Sequence, residues 1–297
     1  LVGSEMCIRD SYNSINREVF RMKRKIVADS SCDMWELNGV DFAVAPITIS
    51  TDNKHYVDNQ DLDVHLMSED LASYKGTSHT ACPSVGSWLD CYEGFDEVFV
   101  VTLTGSMSGT YNSAMTAKGI YEEENENVKV HVFDSLSTGP EMRLLIEKLK
   151  EMIEEDLPFE EIVEKGQDYL NHTRLFFALK SLHNFAMNGR VSKAVASAIG
   201  VLNISIFATA SEEGTIQQIS KCRGEKKVVK SMIEHLENAG YHGGKIRISH
   251  ADNLKLAHSV RDKILELYPH ADIIVYPMGG LCTYYAEIGG LLVGCEC

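Results

Sequence analysis

The sequence predicts an α/β protein built from two domains. Short apolar runs of strand character alternate with longer runs whose apolar residues recur at helical spacing. This alternation is typical of a mainly parallel sheet with helices on both faces. It is interrupted at Leu157–Pro158, after which a hairpin pattern appears. We therefore predict an N-terminal domain with a mainly parallel sheet and flanking helices, followed by a C-terminal mixed α/β domain.

The N-terminal domain is predicted over residues 23–157. Its strands are expected at 24–28, 42–49 (with an edge-type proline at Pro46), 97–103 and 128–133. Its helices are expected at 61–72, from Pro83 onward, at 109–122 and at 140–155. Residues 75–82 are predicted to be a polar turn. Residues 1–22 are predicted to be a non-native or disordered leader, because their beginning resembles translated adaptor or vector sequence.

The C-terminal domain is predicted over residues 158–297. The expected elements are a helix to about 172, a strand at 173–179, a tight turn at 188–190, an Ala-rich helix at 192–199, a hairpin of strands 201–210 and 215–220, a helix at 224–239, a strand at 245–249, a helix at 252–267 and a strand at 271–276. The glycine-rich, apolar tail at 279–297 shows no pattern that assigns it to a helix or a strand.

Composition narrows the classes of partner. The formal net charge of −15 argues against nucleic acids and anionic membrane surfaces as partners. No apolar run approaches the ~20 residues needed to span a bilayer. The eight cysteines show no paired metal-ligand spacing. We therefore expect a soluble, cytoplasmic protein with reduced thiols, without a metal site or cofactor and without stable membrane insertion.

The turn at 104–110 is the strongest candidate for a binding site. It joins a predicted strand to a predicted helix and offers hydroxyls at Thr104, Ser108 and Thr110 beside the backbone N–H of Gly109. A helix N-terminus of this kind suits an oxyanion, either a phosphate or a carboxylate. The alternative is that Ser108 only caps the helix. Further polar connections at 29–31, 80–84 and 134–138 are predicted to lie at the same edge of the sheet.

Five motifs together indicate a family. Thr80-Ala-Cys-Pro-Ser84 resembles the Thr-Ser-x-Pro-Ser motif of the DegV family, and the segment 106–114, Ser-Met-Ser-Gly-Thr-Tyr-Asn-Ser-Ala, resembles its Ser-x-Leu-Ser-Gly-Thr-Tyr-x-Ser-Ala motif. Asn188-Gly-Arg-Val-Ser-Lys193, the stretch 221–227 and His250-Ala-Asp252 are similar to three further motifs, in the same order. The resemblance extends from Lys25 to Asp252.

The resemblance implies a two-domain protein that holds a long-chain fatty acid in a tunnel between the domains. It implies that the carboxylate is held by hydroxyls at Thr80 and Ser108, and that a separate kinase phosphorylates this carboxylate to an acyl phosphate. The protein itself is then a carrier without catalysis of its own. Three further side chains, those of Arg190, Arg223 and His250, are expected to contact the head group or the partner.

The sequence departs from the family pattern near its C-terminus. The usual His-x-Gly-Pro-Gly is replaced by Tyr285-Ala-Glu-Ile-Gly-Gly290, which leaves open what replaces the histidine. The segments 194–199 and 201–207 are small and apolar enough to line a tunnel, although any single residue of this kind more often belongs to an ordinary core.

Two catalytic alternatives stay open at this point. A metal-dependent enzyme acting on a small phosphorylated substrate would use Asp29 or Asp134 as a metal ligand. A nucleophilic Cys82 would need a base such as His79 or His250. The sequence contains no Gly-x-x-x-x-Gly-Lys-Ser/Thr loop for a nucleotide.

Overall fold

A computed structural model describes residues 22–192 and 203–297, and the structural statements below concern these residues. The helix predicted at 192–199 falls outside them except for Ser192. The predicted lining segment 194–199 falls outside them entirely, and only 203–207 of the second lining segment is described.

The secondary structure alternates strands and helices as predicted. The strands are β1 (Arg24–Asp29), β2 (Asp41–Ala45), β3 (Thr48–Ser50), β4 (His55–Val57), β5 (His79–Ala81), β6 (Glu97–Thr102), β7 (Lys129–Asp134), β8 (Thr173–Leu179), β9 (Ile204–Ala210), β10 (Ile216–Arg223), β11 (Lys245–His250), β12 (Asp272–Pro277) and β13 (Leu291–Glu296). The α-helices are α1 (Val64–Ser73), α2 (Val85–Tyr92), α3 (Thr110–Glu124), α4 (Pro140–Glu154), α5 (Phe159–Asn171), α6 (His183–Met187), α7 (Glu225–Asn238), α8 (Leu254–Leu267) and α9 (Gly280–Ala286), and a 3-10 turn covers Ser30–Cys32.

The first sheet is parallel, with the strand order β2-β1-β6-β7. Its central strand β6 is buried along its whole length, as expected for a strand covered on both faces. Helices α4 and α5 cover one face, where Phe99 and Phe133 pack against them. Helices α2 and α3 cover the other face around Trp88. The predicted parallel sheet with helices on both faces is confirmed.

Two local predictions in this region are wrong. The single strand expected at 42–49 is two strands, because the chain leaves the parallel sheet at Pro46 and enters a small antiparallel sheet of order β4-β3-β5. The polar turn expected at 75–82 contains β5, whose Thr80 pairs with Ile49 of β3. Its pairing partner lies far away in sequence, so the local composition gave no sign of a strand.

The second sheet is mixed, with the order β10-β9-β8-β13-β11-β12. The predicted hairpin is confirmed, since β9 and β10 pair in antiparallel register. The unassigned tail contains α9 and β13, and β13 lies between β8 and β11 in the middle of the sheet. A Cβ on Gly294 of β13 would lie 2.7 Å from the carbonyl carbon of Pro140. Position 294 therefore requires a glycine because α4 packs closely against β13, and glycine here does not indicate a loop.

Helix α4 lies between the two sheets. Leu145 and Leu149 belong to the apolar core beside the parallel sheet. From the other sheet, Arg247 of β11 reaches back to Glu147, with 2.6 Å between Nη2 and Oε2, and Lys245 forms an ion pair with Glu151. Helix α4 therefore contacts both sheets. The domain boundary at 157/158 stays a prediction.

Two buried aspartates fix the start of α9. The carboxylate of Asp33 accepts a 2.8 Å hydrogen bond from the Gly279 N–H. Asp58 accepts bonds of 2.7 and 2.9 Å from the N–H groups of Gly280 and Leu281. The N–H groups at the start of a helix have no partner within the helix, and these side chains supply one. Through these three bonds the N-terminal part of the chain orients α9, a helix from its C-terminal part.

These aspartates predict an unusual dependence of stability on pH. Burial raises the pKa of Asp33 to about 8 and that of Asp58 to about 6, although the N–H bonds oppose the shift. In the unfolded chain both lose their protons near pH 4. The folded state therefore binds more protons than the unfolded state between about pH 4 and pH 8, and stability falls as pH rises through this window.

Thermal unfolding of the wild type and Asp33→Asn between pH 5 and pH 9 checks this prediction. Asparagine mimics the neutral acid, so the melting temperature of the variant should fall less than that of the wild type between pH 6 and pH 9. Asp61→Asn, at an exposed position, is the matched control and should keep the wild-type slope. Equal slopes for Asp33→Asn and the wild type would contradict the assignment.

Candidate functional site

A cavity of about 310 Å³ lies between the two sheets. This volume is at the lower end of the ~300–1,000 Å³ range of small-molecule sites. Its walls come from both parts of the chain and are mainly apolar. The apolar side chains that line it are those of Ile47, Leu103, Met107, Leu136, Leu175, Phe177, Leu179, Phe185, Ala210, Ile216, Leu281, Ala286 and Leu292. The polar lining residues are fewer and include Thr80, Thr104, Ser108 and Arg190.

Thr80 is held at the cavity by the short antiparallel sheet. Its Oγ1 lies 2.9 Å from the hydroxyl of Tyr285, which also lines the cavity. The Tyr285 ring packs against Phe185, with 4.6 Å between ring centroids. Burial raises the pKa of Tyr285, so its hydroxyl stays protonated and can donate a hydrogen bond at neutral pH. Thr80 and Tyr285 thus form a pair of hydroxyls supplied by distant parts of the sequence.

Ser108 lies two residues before the first residue of α3. Its Oγ is 2.8 Å from the Thr110 hydroxyl and accepts a long 3.3 Å bond from the Thr110 N–H. The N-cap position itself is occupied by Gly109, which has no side chain to cap the helix. The capping alternative therefore explains only part of the role of Ser108, since its side chain also lines the cavity.

The other predicted residues of this turn take different positions. Thr104 lines the cavity, and its Oγ1 accepts a 3.3 Å bond from the Ser106 N–H. Gly109 lines it too, and a Cβ there would meet the sulfur of Cys82 at 3.4 Å. Thr110 is fully buried and does not line the cavity. Of the five predicted ligand-binding residues, the structure brings four to the cavity surface and leaves Thr110 behind Ser108.

Arg190 supplies a positive charge beside these hydroxyls. The turn before it uses Gly189 at a φ of +73°, a conformation that favours glycine. The guanidinium donates from Nε to the Met107 carbonyl at 3.2 Å and from Nη1 to the Asn188 carbonyl at 2.6 Å. Its charge also opposes the rise in the pKa of Tyr285, which is the effect of a nearby cation. The cavity therefore has a polar end, and among the described residues that line it Arg190 carries the positive charge.

Arg223 and His250 are not part of this polar end. Arg223 is exposed at the end of β10, and His250 ends β11, so neither lines the cavity. The imidazole of His250 is buried, accepts a 3.3 Å bond from the Asn253 N–H, and has its pKa lowered by burial. The structure thus separates these two residues from Thr80 and Ser108, and a contact with a partner protein stays a prediction for them.

The aspartates of the metal-enzyme alternative already have backbone partners. Asp29 accepts a 2.7 Å bond from the Leu103 N–H and one of 2.9 Å from the Ser31 N–H. Asp134 accepts a 3.0 Å bond from the Gly105 N–H. Both carboxylates therefore shape the loops around the cavity, and within 22–192 and 203–297 no group of three or more metal-binding side chains is present.

The cysteine of the nucleophile alternative does reach the cavity. Cys82 is exposed and lines it, whereas the proposed bases His79 and His250 do not. The surface of the cavity therefore includes the thiol but neither of the two histidines that the alternative requires.

The tip of the β9–β10 hairpin closes one side of the cavity. Gly214 lines it at a φ of +74°, and Ser106 donates a hydrogen bond to the carbonyl of Glu213. A Cβ on Gly214 would lie 2.2 Å from Oγ1 of Thr104 and 3.0 Å from the backbone of Leu136. The hairpin tip can approach the 104–110 turn only because this residue has no side chain.

Gly214→Ala is therefore expected to destabilise the protein by about 1–3 kcal/mol, because it combines backbone strain with a steric clash. Chemical denaturation measures the loss. Gly94→Ala is the matched control, because Gly94 has a φ of +82° and open space around its Cβ position. A Gly214→Ala variant no less stable than the Gly94→Ala control would show that the close approach does not exist.

Comparison with models of known protein families gives a match over most of the chain. The family model described as "Uncharacterised protein, DegV family COG1307" matches residues 23–294. The chain belongs to the DegV family. A DegV domain-containing protein of Streptococcus pneumoniae is 42% identical over 279 residues, covering 93% of this chain and 99% of the relative. The resemblance deduced from the motifs is thereby confirmed.

Two solved structures are similar to this chain over nearly its whole length. A DegV family protein from Eubacterium eligens, loaded with heptadecanoic acid, is 52% identical with a TM-score of 0.90, covering 92% of this chain and 99% of its own. The Fatty Acid Kinase (Fak) B3 protein of Streptococcus pneumoniae, loaded with linoleic acid, is 42% identical with a TM-score of 0.91, covering 93% and 99%. The α/β fold predicted from the sequence is confirmed.

The sequence alone does not place Tyr285 at the cavity. It shows that this residue lies in the segment that replaces the family's histidine motif and leaves open whether Tyr285 and Glu287 substitute for that motif, because no pattern assigns the tail to a helix or a strand. The sequence feature that points to Tyr285 is the replacement of the family's histidine motif by a segment with another side chain that can form hydrogen bonds. In the structure this side chain lies where α9 contacts β5.

Proposed function

We propose that this DegV family chain binds one long-chain fatty acid, with the acyl chain in the cavity between the sheets and the carboxylate at Thr80 and Ser108. The supporting observation is the composition of the cavity lining, which is apolar along most of its surface and polar at one end. Relatives with this fold are loaded with heptadecanoic acid and with linoleic acid. A carboxylate at the polar end accepts hydrogen bonds from both hydroxyls and is attracted by Arg190.

The acyl chain dominates the expected affinity. Burying it contributes about 0.8 kcal/mol per methylene, so a chain of about sixteen carbons gains on the order of 10 kcal/mol. Each hydrogen bond to a charged head group contributes about 1.5–3 kcal/mol. Thr80 and Ser108 therefore chiefly set the orientation of the ligand, with the carboxylate toward α3.

Tyr285 completes the proposed head-group site. In the structure its hydroxyl forms a hydrogen bond with that of Thr80. A carboxylate placed between Thr80 and Ser108 lies within reach of the same hydroxyl, which then donates to it. This tyrosine thereby supplies a polar side chain from the segment where the family has its histidine motif.

Calorimetric titration of the delipidated chain tests the binding proposal. A fatty acid of sixteen to eighteen carbons and the fatty alcohol of equal length share the acyl chain and differ in the carboxylate. We expect both to bind and the acid to bind at least about 10-fold more tightly. Binding of neither ligand would refute the proposed function.

The chain is further proposed to act in the cytoplasm as a carrier without catalysis of its own, presenting the carboxylate to a separate kinase. One of its relatives is the B3 protein of a fatty acid kinase. With fatty acid, ATP and a fatty acid kinase, the carboxylate oxygen attacks the γ-phosphorus, and ADP leaves. Hydroxylamine trapping should detect acyl phosphate in this mixture and none without the kinase. Product formed by the chain and ATP alone would contradict the carrier assignment.

In the part of the chain that the structure describes, no helix is long and apolar enough to cross a membrane.

A further inference from the structure

Two cysteines meet at the end of β13, outside the cavity. Cys295 is the fifth residue of this strand and Cys297 follows it. Alternate residues of a strand point to the same face, and the sulfur atoms are 3.3 Å apart. The Cys297 N–H donates a 2.7 Å bond to the carbonyl of His172, which holds its backbone in line with the strand.

The two thiols differ in access and in electrostatic surroundings. Cys295 is fully buried, whereas Cys297 is half-buried and reachable by a small molecule. The contact with Cys295, together with the charge of Arg174, lowers the pKa of the Cys297 thiol. The same contact and burial raise the pKa of Cys295. A thiolate is the nucleophile in cysteine chemistry, so Cys297 is the attacking group and Cys295 the resolving group.

We propose that Cys295 and Cys297 form a dithiol that peroxides oxidise reversibly to an intrachain disulfide. In the first step the Cys297 thiolate attacks a peroxide oxygen, an S–O bond forms and the O–O bond breaks. The hydroxide that leaves takes up a proton to become water. Sulfur is oxidised to a sulfenic acid and the peroxide is reduced.

In the second step the sulfur of Cys295 attacks the sulfenic sulfur of Cys297. An S–S bond forms, the S–O bond breaks, and the departing hydroxide takes the thiol proton of Cys295 to give a second water. A strand rises about 3.3 Å per residue, so the two Cα atoms are about 6.6 Å apart. This separation lies inside the ~4.4–6.8 Å range of disulfides. Rotation of the side chains can therefore bring the sulfurs into bonding distance.

Peroxide titration of the reduced chain, followed by alkylation and peptide mass spectrometry, tests the proposal. We expect the peptide carrying Cys295 and Cys297 to lose two hydrogen masses and to resist alkylation until a reductant is added. Cys82 is the internal comparator, since it is an exposed free thiol. Its peptide should show addition of oxygen or of the alkylating agent instead.

Cys295→Ser removes the resolving thiol and should leave the sulfenic acid on Cys297, where dimedone captures it. We expect about 10-fold more dimedone adduct on Cys297 in this variant than in the wild type. Equal adduct in both proteins would overturn the proposal. The peroxide titration of the wild type does not depend on how the variant folds. If the wild-type peptide that carries Cys295 and Cys297 stays fully alkylated after Cys82 is oxidised, the proposal is also overturned.

Discussion

Filling the cavity from Ala210 is expected to abolish acyl-chain binding. Ala210 lines the cavity from β9 and is only partly buried, so a tryptophan can project into the open space. An indole that displaces about five methylenes removes about 4 kcal/mol of burial, or roughly 1000-fold in affinity. Titration with a fatty acid of sixteen to eighteen carbons measures the effect.

Ala210→Ser is the control for this substitution. Serine changes polarity at the same position with little change in volume, so binding should weaken far less. Both variants should first be shown to fold, by circular dichroism and thermal unfolding. A folded Ala210→Trp variant with wild-type affinity would show that the acyl chain lies elsewhere.

Removing the two hydroxyls at the polar end is expected to erase the preference for a carboxylate. Thr80→Val with Ser108→Ala eliminates two hydrogen bonds to a charged group, each worth about 1.5–3 kcal/mol, so affinity for the fatty acid should fall roughly 100-fold or more. Affinity for the fatty alcohol should change much less, because its burial is unaltered. The measured quantity is the ratio of the two affinities.

The matched control for this variant is Ser106→Ala. Ser106 lies in the same turn, but its hydroxyl bonds to the hairpin carbonyl of Glu213 and it does not line the cavity. The partial capping role of Ser108 limits its stability loss to about 1 kcal/mol. If the double variant keeps the wild-type preference for acid over alcohol, Thr80 and Ser108 do not hold the carboxylate.

The parallel sheet was predictable because its signals are local. Strands such as β6 are short apolar runs, and helices such as α3 and α4 follow them at regular intervals, so periodicity alone identifies the layers. The same holds for the β9–β10 hairpin, whose turn ends in Gly214. Elements whose stability comes from distant partners were missed or misjudged. Examples are β5, which pairs with β3, and β13, whose Gly294 is required by the approach of α4.

The candidate site likewise contains residues that the sequence identifies and residues whose position only the structure shows. Thr80 and Ser108 were found from motifs, and the structure brings both to one cavity although 28 positions separate them in the chain. Arg190 was found for the same reason. Tyr285 was not, because only the position of α9, fixed by Asp33 and Asp58, places its hydroxyl against Thr80. His250 and Arg223 were grouped with the site by motif similarity, which carries no information on distance.

Occupation of the cavity between the sheets by a fatty acid can be weighed by native mass spectrometry. The recombinant chain is purified without added lipid and then incubated with a fatty acid of sixteen to eighteen carbons. We expect one added mass per chain equal to a long-chain fatty acid, and loss of this species in the Ala210→Trp variant. A wild-type chain that carries no lipid after purification and takes up none when fatty acid is added would contradict it.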